Sequence, residues 1–317
     1  MIQYNQKLPN WKEKNIIASK KKTLTFILDI NVNKKQIRSK LRKNELLEVR
    51  TMDISSVVGI ILAFIALLVG VVLKGVTITQ LFVPAAWLII VGGTIATVVI
   101  GFPMAELKRI PKLFKVLFTE TKLANDIDII KMFSQWADLA RREGLLALES
   151  KAAEIEDPFL KNGLTLAIDG QNADYIRDVL TEEVIAMEER HASGAAIFTQ
   201  AGTYAPTLGV LGAVVGLIAA LGDMNDIGKL GHAIAAAFVA TLLGIFTGYV
   251  LWHPFANKMK RKSAREVKQK MMMIEGILSV LEGEAPRVIE QKLASYLTME
   301  ERKQITESGA GGLGKED

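Results

Sequence analysis

Four long apolar stretches divide the chain. They cover residues 54–73, 81–102, 197–221 and 233–252, and none contains Asp, Glu, Lys or Arg. Each is about as long as the roughly 20 residues that an α-helix needs to cross a hydrocarbon core about 30 Å thick. The pattern therefore predicts four membrane-spanning helices, two before and two after a long polar segment.

The polar segment at 103–196 shows the period of amphipathic helices. One run places Ile129, Phe133 and Trp136 on the same helical face, with charged residues opposite. A further helix is expected over 173–191, ahead of the third span. These patterns indicate a helical soluble domain inserted between the second and third spans.

No strand pattern of any length appears, so the predicted fold class is an all-α integral membrane protein. Two transmembrane helices are expected within 52–102 and two within 197–255. The helical domain occupies 103–196, and residues 256–317 form a C-terminal helical extension and tail.

Positive charge marks one side of the predicted membrane. Lys and Arg cluster after the second and fourth spans, whereas the two short loops between spans hold only Lys74 and Lys229. Because cytoplasmic segments carry an excess of Lys and Arg, both termini and the helical domain are expected in the cytoplasm.

The first 51 residues form a basic extension. They hold thirteen Lys and Arg against four acidic residues, while the whole chain has a net charge of +5. The excess positive charge therefore belongs to the extension, and a nucleic-acid partner is not expected. Met52 is the expected start of translation, and a disordered basic tail at 1–51 is the alternative.

Small residues recur along the third and fourth spans. Gly209, Gly212 and Gly216 share one helical face, and Ala240 and Gly244 belong to a second series at every fourth position. Such stripes let helix backbones approach closely in lipid, where apolar side chains alone give little reason to associate. These five residues are predicted to mediate helix packing.

Two prolines interrupt the same spans. Pro206 lies inside the third span and frees the carbonyl of Gly202, while Pro254 closes the fourth span and frees that of Val250. Static kinks are one interpretation, since proline is common in membrane helices. A pair of hinges is the sharper hypothesis.

The spans carry little chemistry of their own. They hold no ionisable acid or base, and the chain has no cysteine and no recognisable catalytic motif, so neither an enzyme nor a metal or cofactor site is expected. Thr241, beside the small-residue stripe, is the best candidate for an ion pathway, although a hydroxyl bonded to the preceding turn is the ordinary alternative. His232 and His253 are expected at the solvated membrane interfaces.

Long motifs across 52 to about 300 resemble those of the MotA family of flagellar stator subunits, in its Gram-positive form. They are RREGLLALE at 141–149, DGQNADYIRDVLTEE at 169–183, QAGTYAPTLGVLGAVVGLIAAL at 200–221, GHAIAAAFVATLLGIFTGYVLWHPFANK at 231–258 and VLEGEAP at 280–286. The resemblance implies an ion-conducting, torque-generating subunit in the bacterial inner membrane. It also implies a homopentamer around a dimer of MotB, whose membrane helix brings the ion-binding Asp.

The resemblance assigns roles to individual residues. Pro206 and Pro254 match two prolines that couple ion passage to movement. Arg141 or the adjacent Arg142, together with Glu149, matches charges that face the rotor protein FliG.

One position bears on the coupling ion. Sodium-type relatives resemble G-T-L-I-G where this chain has Ala213 between Gly212 and Val214, and a methyl group cannot replace an oxygen ligand. Thr241 is shared by both types and does not distinguish them. Because Ala213 lacks the oxygen ligand, proton coupling is expected. A sodium-coupled stator, an energiser related to ExbB and TolQ, and a solute carrier are the alternatives.

Overall fold

A computed structural model describes residues 53–120, 123–222 and 226–303. The basic extension, the expected start at Met52 and the tail from 304 lie outside the described residues. Within the described ranges the chain is helical and has no β-strand, which confirms the predicted all-α class.

The helices follow one another with short connections. In chain order they are α1 (Ile54–Leu73), α2 (Pro84–Gly101), α3 (Met104–Leu107), α4 (Ile110–Phe118), α5 (Asp126–Glu143), α6 (Glu149–Glu154), α7 (Pro158–Ile168), α8 (Ala173–Gly222), α9 (Ile227–Leu281) and α10 (Pro286–Leu293). Four of them, α1, α2, α8 and α9, are long and apolar enough to cross a membrane, as the sequence predicted.

Polar side chains define where several helices begin and end. The side chains of Asn125, Asp157 and Asp226 accept hydrogen bonds from backbone N–H groups in the first turns of α5, α7 and α9. Gly144 ends α5 with φ of +86°, a left-handed conformation that favours glycine.

The longest helices confirm one expectation and correct another. The fourth span continues as helix into the polar residues that follow it, as the sequence predicted, in a helix of 55 residues. The helix expected over 173–191 is not separate from the third span, and the two form one helix of 50 residues. Residues 192–196 contain only Ala, Ser and Gly, and the backbone of Gly194 packs against Leu113 of α4. Because tertiary packing covers this segment, its single glycine does not end the helix.

The soluble parts of α8 and α9 form the centre of the helical domain. Ile176 and Leu180 of α8 and Ile277 and Leu278 of α9 are fully buried in one core with Phe133 of α5. The same two helices continue through the membrane half. The apolar segments and the soluble core are therefore joined by continuous helix in both α8 and α9.

Candidate coupling site

The membrane parts of α8 and α9 meet along a seam of small residues. A Cβ atom at Gly209 would lie 2.8 Å from the Ala240 carbonyl oxygen and 2.9 Å from the Cα of Gly244. A Cβ at Gly244 would lie 2.8 Å both from the Ala205 carbonyl oxygen and from the Cα of Gly209. The two backbones are thus in direct contact, which no larger residue permits.

The seam loosens towards the C-terminal end of α8. Cβ atoms at Gly212 and Gly216 would each meet a methyl group at 3.4 Å, that of Ala240 and that of Ala237 respectively. All five predicted packing residues therefore lie on this seam. The small-residue stripe beside Thr241 is occupied by α8 and is not open to a partner helix.

Pro206 lies at the tight part of the seam. A Cβ at Gly248 would be 2.7 Å from the Gly202 carbonyl oxygen and 2.7 Å from the Cδ and Cγ atoms of the Pro206 ring. Since proline has no N–H, that Gly202 carbonyl lacks its usual helical partner. Gly248 belongs to the same series at every fourth position as Ala240 and Gly244, and its missing side chain makes room for both the ring and the carbonyl.

The fourth span changes its hydrogen-bond pattern directly opposite this proline. Residues Phe246–Trp252 form a π-helical segment, and the His253 N–H donates to the Gly248 carbonyl, five residues back. Pro254 follows at the start of the next α-helical segment and is exposed. Such π segments are frequent at functional sites because the helical ladder is already altered there.

His253 lies against the same region. A Cβ at Gly202 would be 2.9 Å from ring atoms of His253, and the ring centroid is 5.2 Å from that of Tyr249. The side chain therefore packs against α8 on one side and keeps intermediate exposure. Only the close approach at Gly202 reveals this packing.

A third irregular helix packs at the same level. Residues Leu88–Gly92 of α2 form a second π-helical segment, and Ile90 packs with Ala205 of α8 and Leu243 of α9. The indole N–H of Trp87 is buried and finds no acceptor among the described residues.

The two residues proposed for the ion pathway flank the seam. Ala213 and Thr241 each follow a member of the contacting pair Gly212 and Ala240, and both are half-buried. The Thr241 hydroxyl donates to the Ala237 carbonyl at 3.3 Å, whereas that of Thr247 donates to Leu243 at 2.8 Å. Thr241 thus has the longer backbone bond of the two.

The charges proposed for rotor contact lie where α5 ends and α6 begins. Arg141 and Arg142 end α5, and Glu149 begins α6 after the turn at Gly144; all three side chains are exposed. Arg142 forms an ion pair with Asp138 at 3.0 Å. No ion pair to Arg141 occurs within the described residues. The structure therefore distinguishes Arg141 from Arg142, which the sequence alone could not do.

An ionic cluster fixes the start of α1. Asp53 contacts the ammonium groups of Lys258 at 2.6 Å and Lys262 at 3.3 Å. Burial acts to raise the pKa of the Asp53 carboxyl, but hydrogen bonds from Lys258, Ser55 and Lys262 together with the charge of Lys258 hold it well below its usual range. The carboxylate therefore stays ionised, and it ties the start of α1 to the polar extension of α9.

Fold and site together define a class: a helical membrane subunit with two long coupled helices, an irregular level in the bundle, and no ionisable group in its own spans. Residues 151–272 match the MotA/TolQ/ExbB proton channel family, and residues 57–144 match the N-terminal region of Motility protein A.

Proteins similar in sequence and in structure support the same family assignment. The chain is 65% identical to Motility protein A of Bacillus subtilis over 264 residues, which is 83% of this chain and 98% of the relative. It matches the structure of the flagellar MotAB stator complex from Bacillus subtilis with a TM-score of 0.76 at 66% identity, covering 80% of this chain and 99% of that one. The C. jejuni MotAB structure matches with a TM-score of 0.74 at 32% identity, covering 78% and 97%. The chain belongs to the MotA/TolQ/ExbB proton channel family.

Proposed function

We propose that this chain is the ion-conducting, torque-generating stator subunit of a bacterial flagellar motor, in which it couples proton flow to rotation. The observation that carries this proposal is the 65% identity to a Motility protein A over nearly the whole length of that relative. The exposed charges of Arg141 and Glu149 and the seam at Pro206 supply the two physical parts that such a subunit needs.

The proposal includes a MotB-type partner that brings the titrating carboxylate. No Asp or Glu lies in any apolar span, and proton paths through bilayers ordinarily use ionisable groups. The similar Bacillus subtilis structure is a MotAB complex, which supports a partner of this type. Five copies of the chain around a MotB dimer, as in the resemblance, would surround the acid with α8 and α9.

The membrane placement follows from charge. The bundle spans the inner membrane, with the helical domain and both termini in the cytoplasm, because Lys and Arg follow the second and fourth spans. The described α8 and α9 then reach from the bilayer to the rotor side as continuous rods.

In the proposed mechanism, each proton crossing about 100 mV releases about 2.3 kcal/mol. Transient neutralisation of the partner Asp changes its fit against the ring of chains. Movement is accommodated where α8 and α9 depart from regular helix, at Pro206 and Gly248, with Pro254 as the second hinge. The displacement reaches Arg141 and Glu149, which act on FliG.

The residue at position 213, Ala213, favours protons over sodium ions as the coupling ion. A sodium ion needs several oxygen ligands, and a methyl group supplies none. Thr241 has a hydroxyl next to this part of the seam, where Gly212 and Ala240 are in van der Waals contact through a methyl group.

The proposed function is tested by complementation. A flagellated strain lacking its own stator genes is given this chain with its MotB-type partner, and swimming is recorded. We expect restored rotation that stops when the proton gradient is collapsed. Intact but paralysed flagella, despite stable membrane expression of both proteins, would contradict the proposal and leave the ExbB- or TolQ-like energiser.

The rotor contact is tested by a matched pair. Arg141→Ala should lower swimming speed by more than Arg142→Ala, because Arg142 already interacts with Asp138. A larger loss at Arg142 would reverse the assignment. Membrane expression of the two variants, measured in parallel, serves as the control.

A further inference from the structure

Helix α4 runs between the ends of two membrane spans. It begins at Ile110, shortly after α2 ends at Gly101, and the Phe118 carbonyl at its end accepts a hydrogen bond from the Asp53 N–H at 3.0 Å, just before α1 begins. Nine helical residues extend about 13 Å. Because both ends lie where a span leaves the bilayer, α4 lies along the membrane surface.

The inner face of α4 is held by aromatic packing. Phe114 and Phe118 make edge-to-face contacts with Phe198 and Phe255 at centroid distances of 5.2 Å and 5.9 Å. Leu117 is fully buried in the same cluster. This face therefore covers α8 and α9 just below the seam at Pro206.

The outer face is basic and has one apolar residue. Lys112 and Lys115 are exposed, Lys108 and Arg109 precede them in the same state, and Val116 is 39% exposed. No ion pair to Lys112 or Lys115 occurs within the described ranges. Lys258 and Lys262 of α9, by contrast, form ion pairs with Asp53.

We propose that this outer face of α4 is a binding surface for anionic phospholipids of the cytoplasmic leaflet, with Lys112 and Lys115 on headgroup phosphates and Val116 at the acyl boundary. Amphipathic helices with basic flanks lie in this way at membrane interfaces. Basic residues near an anionic surface are attracted within a Debye length. The bound lipid gives α8 and α9 a fixed support below the level at which they bend. The inference rests on the proposed membrane placement and not on the motor activity.

The test uses a depth measurement. The chain has no cysteine, so one nitroxide label can be placed by Val116→Cys in the complex with a cysteine-free MotB-type partner. The complex is reconstituted in vesicles of phosphatidylcholine with or without one quarter phosphatidylglycerol. We expect the label to be more accessible to dissolved oxygen than to a water-soluble nickel complex, and more so with phosphatidylglycerol. The Leu146→Cys label, at a position 72% exposed in the soluble domain, should show the opposite preference.

Lysine neutralisation identifies the headgroup contribution. Lys112→Gln with Lys115→Gln should remove the phosphatidylglycerol effect and lower retention of that lipid by roughly fivefold per lysine. The matched control, Lys131→Gln with Lys161→Gln, neutralises two exposed lysines of the soluble domain and should change nothing.

Three results would overturn the inference. A Val116 label that stays in water in both vesicles would exclude insertion. If the label lies in the bilayer but its accessibility changes neither with phosphatidylglycerol nor with the lysine substitutions, binding of anionic lipid is excluded. If the label is shielded from both oxygen and the nickel complex, a protein partner covers this face. An Ile61→Cys label on α1 tests the membrane placement independently of lipid binding. A water-exposed label at this position would contradict the proposed topology, whereas a loss of swimming alone would not.

Discussion

The first span and the α8–α9 seam are equally helical but pack in opposite ways. α1 has no buried residue, and Cβ atoms at Gly59 and Gly70 would meet nothing within 4 Å. At the seam, Cβ atoms at Gly209 and Gly244 would overlap the facing backbone. α1 touches the bundle mainly through its ends and through the Phe64 ring, 5.3 Å from that of Phe246.

The two regions also differ in mean hydropathy, and this difference reflects the size of their side chains. α1 has a mean hydropathy of 3.0, compared with 2.0 and 2.1 for the apolar windows of α8 and α9. Large aliphatic side chains raise this value and suit a helix facing lipid. Small residues lower it and mark helices that pack closely. The spans that pack against one another are therefore the less apolar ones, and α2, with a mean hydropathy of 1.9, belongs with α8 and α9 in this respect.

The largest effect is expected from filling the tight part of the seam. Gly244→Val places atoms inside the Ala205 carbonyl and the Gly209 backbone, which cannot move away. Overpacking of this kind costs about 1–3 kcal/mol or more. We expect loss of the folded subunit, measured as thermal stability in detergent.

Gly59→Val is the matched control on α1. It adds the same atoms where no neighbour lies within 4 Å, so stability should be unchanged. Equal destabilisation by both substitutions would mean that glycine content matters and packing does not.

The next effect is expected at the hinge. Gly248→Ala brings one methyl group against the Pro206 ring and the Gly202 carbonyl. The protein should still insert and assemble, but swimming should fall strongly because the helices can no longer bend there. Combining it with Pro206→Ala removes the contact with the ring but leaves the new methyl group 2.7 Å from the Gly202 carbonyl oxygen, so the double variant should restore neither swimming nor full stability.

The control for the hinge is Gly70→Ala on α1, which should swim normally. If Gly248→Ala also swims at normal speed, the close contact at Gly248 has no part in movement. Swimming of a Pro206→Ala strain at normal speed would remove the hinge role altogether.

A smaller change is expected from the edge of the seam. Ala213→Thr adds a hydroxyl beside Thr241, where α8 and α9 are in ordinary van der Waals contact. We expect the packing to tolerate it and the swimming speed to become partly dependent on sodium. Speed measured across a sodium series at constant ionic strength checks this, and a flat response in the variant would show that one hydroxyl does not set the ion choice.

Periodicity and charge could predict much of this molecule. Uncharged runs located the four spans, and glycine spacing located the residues of the seam, because both depend on local sequence. The partner of each stripe could not be predicted, since the residues around Gly209 and Ala240 are equally suited to a neighbouring helix from any chain. The π segments at Leu88–Gly92 and Phe246–Trp252 also escaped prediction, because an altered helical ladder depends on what packs against it. The packing of His253 against Gly202 could not be predicted either, because it depends on how closely α8 and α9 approach.

In the proposed function, this chain forms the walls of the proton path and the bending seam, while another polypeptide brings the acid. Proton flux into vesicles under an imposed potential tests this most directly, with the chain alone, with its MotB-type partner, and with that partner's membrane Asp replaced by Asn. We predict flux only for the chain with the unmodified partner. Flux through the chain alone, at a rate similar to that of the complex, would contradict the account.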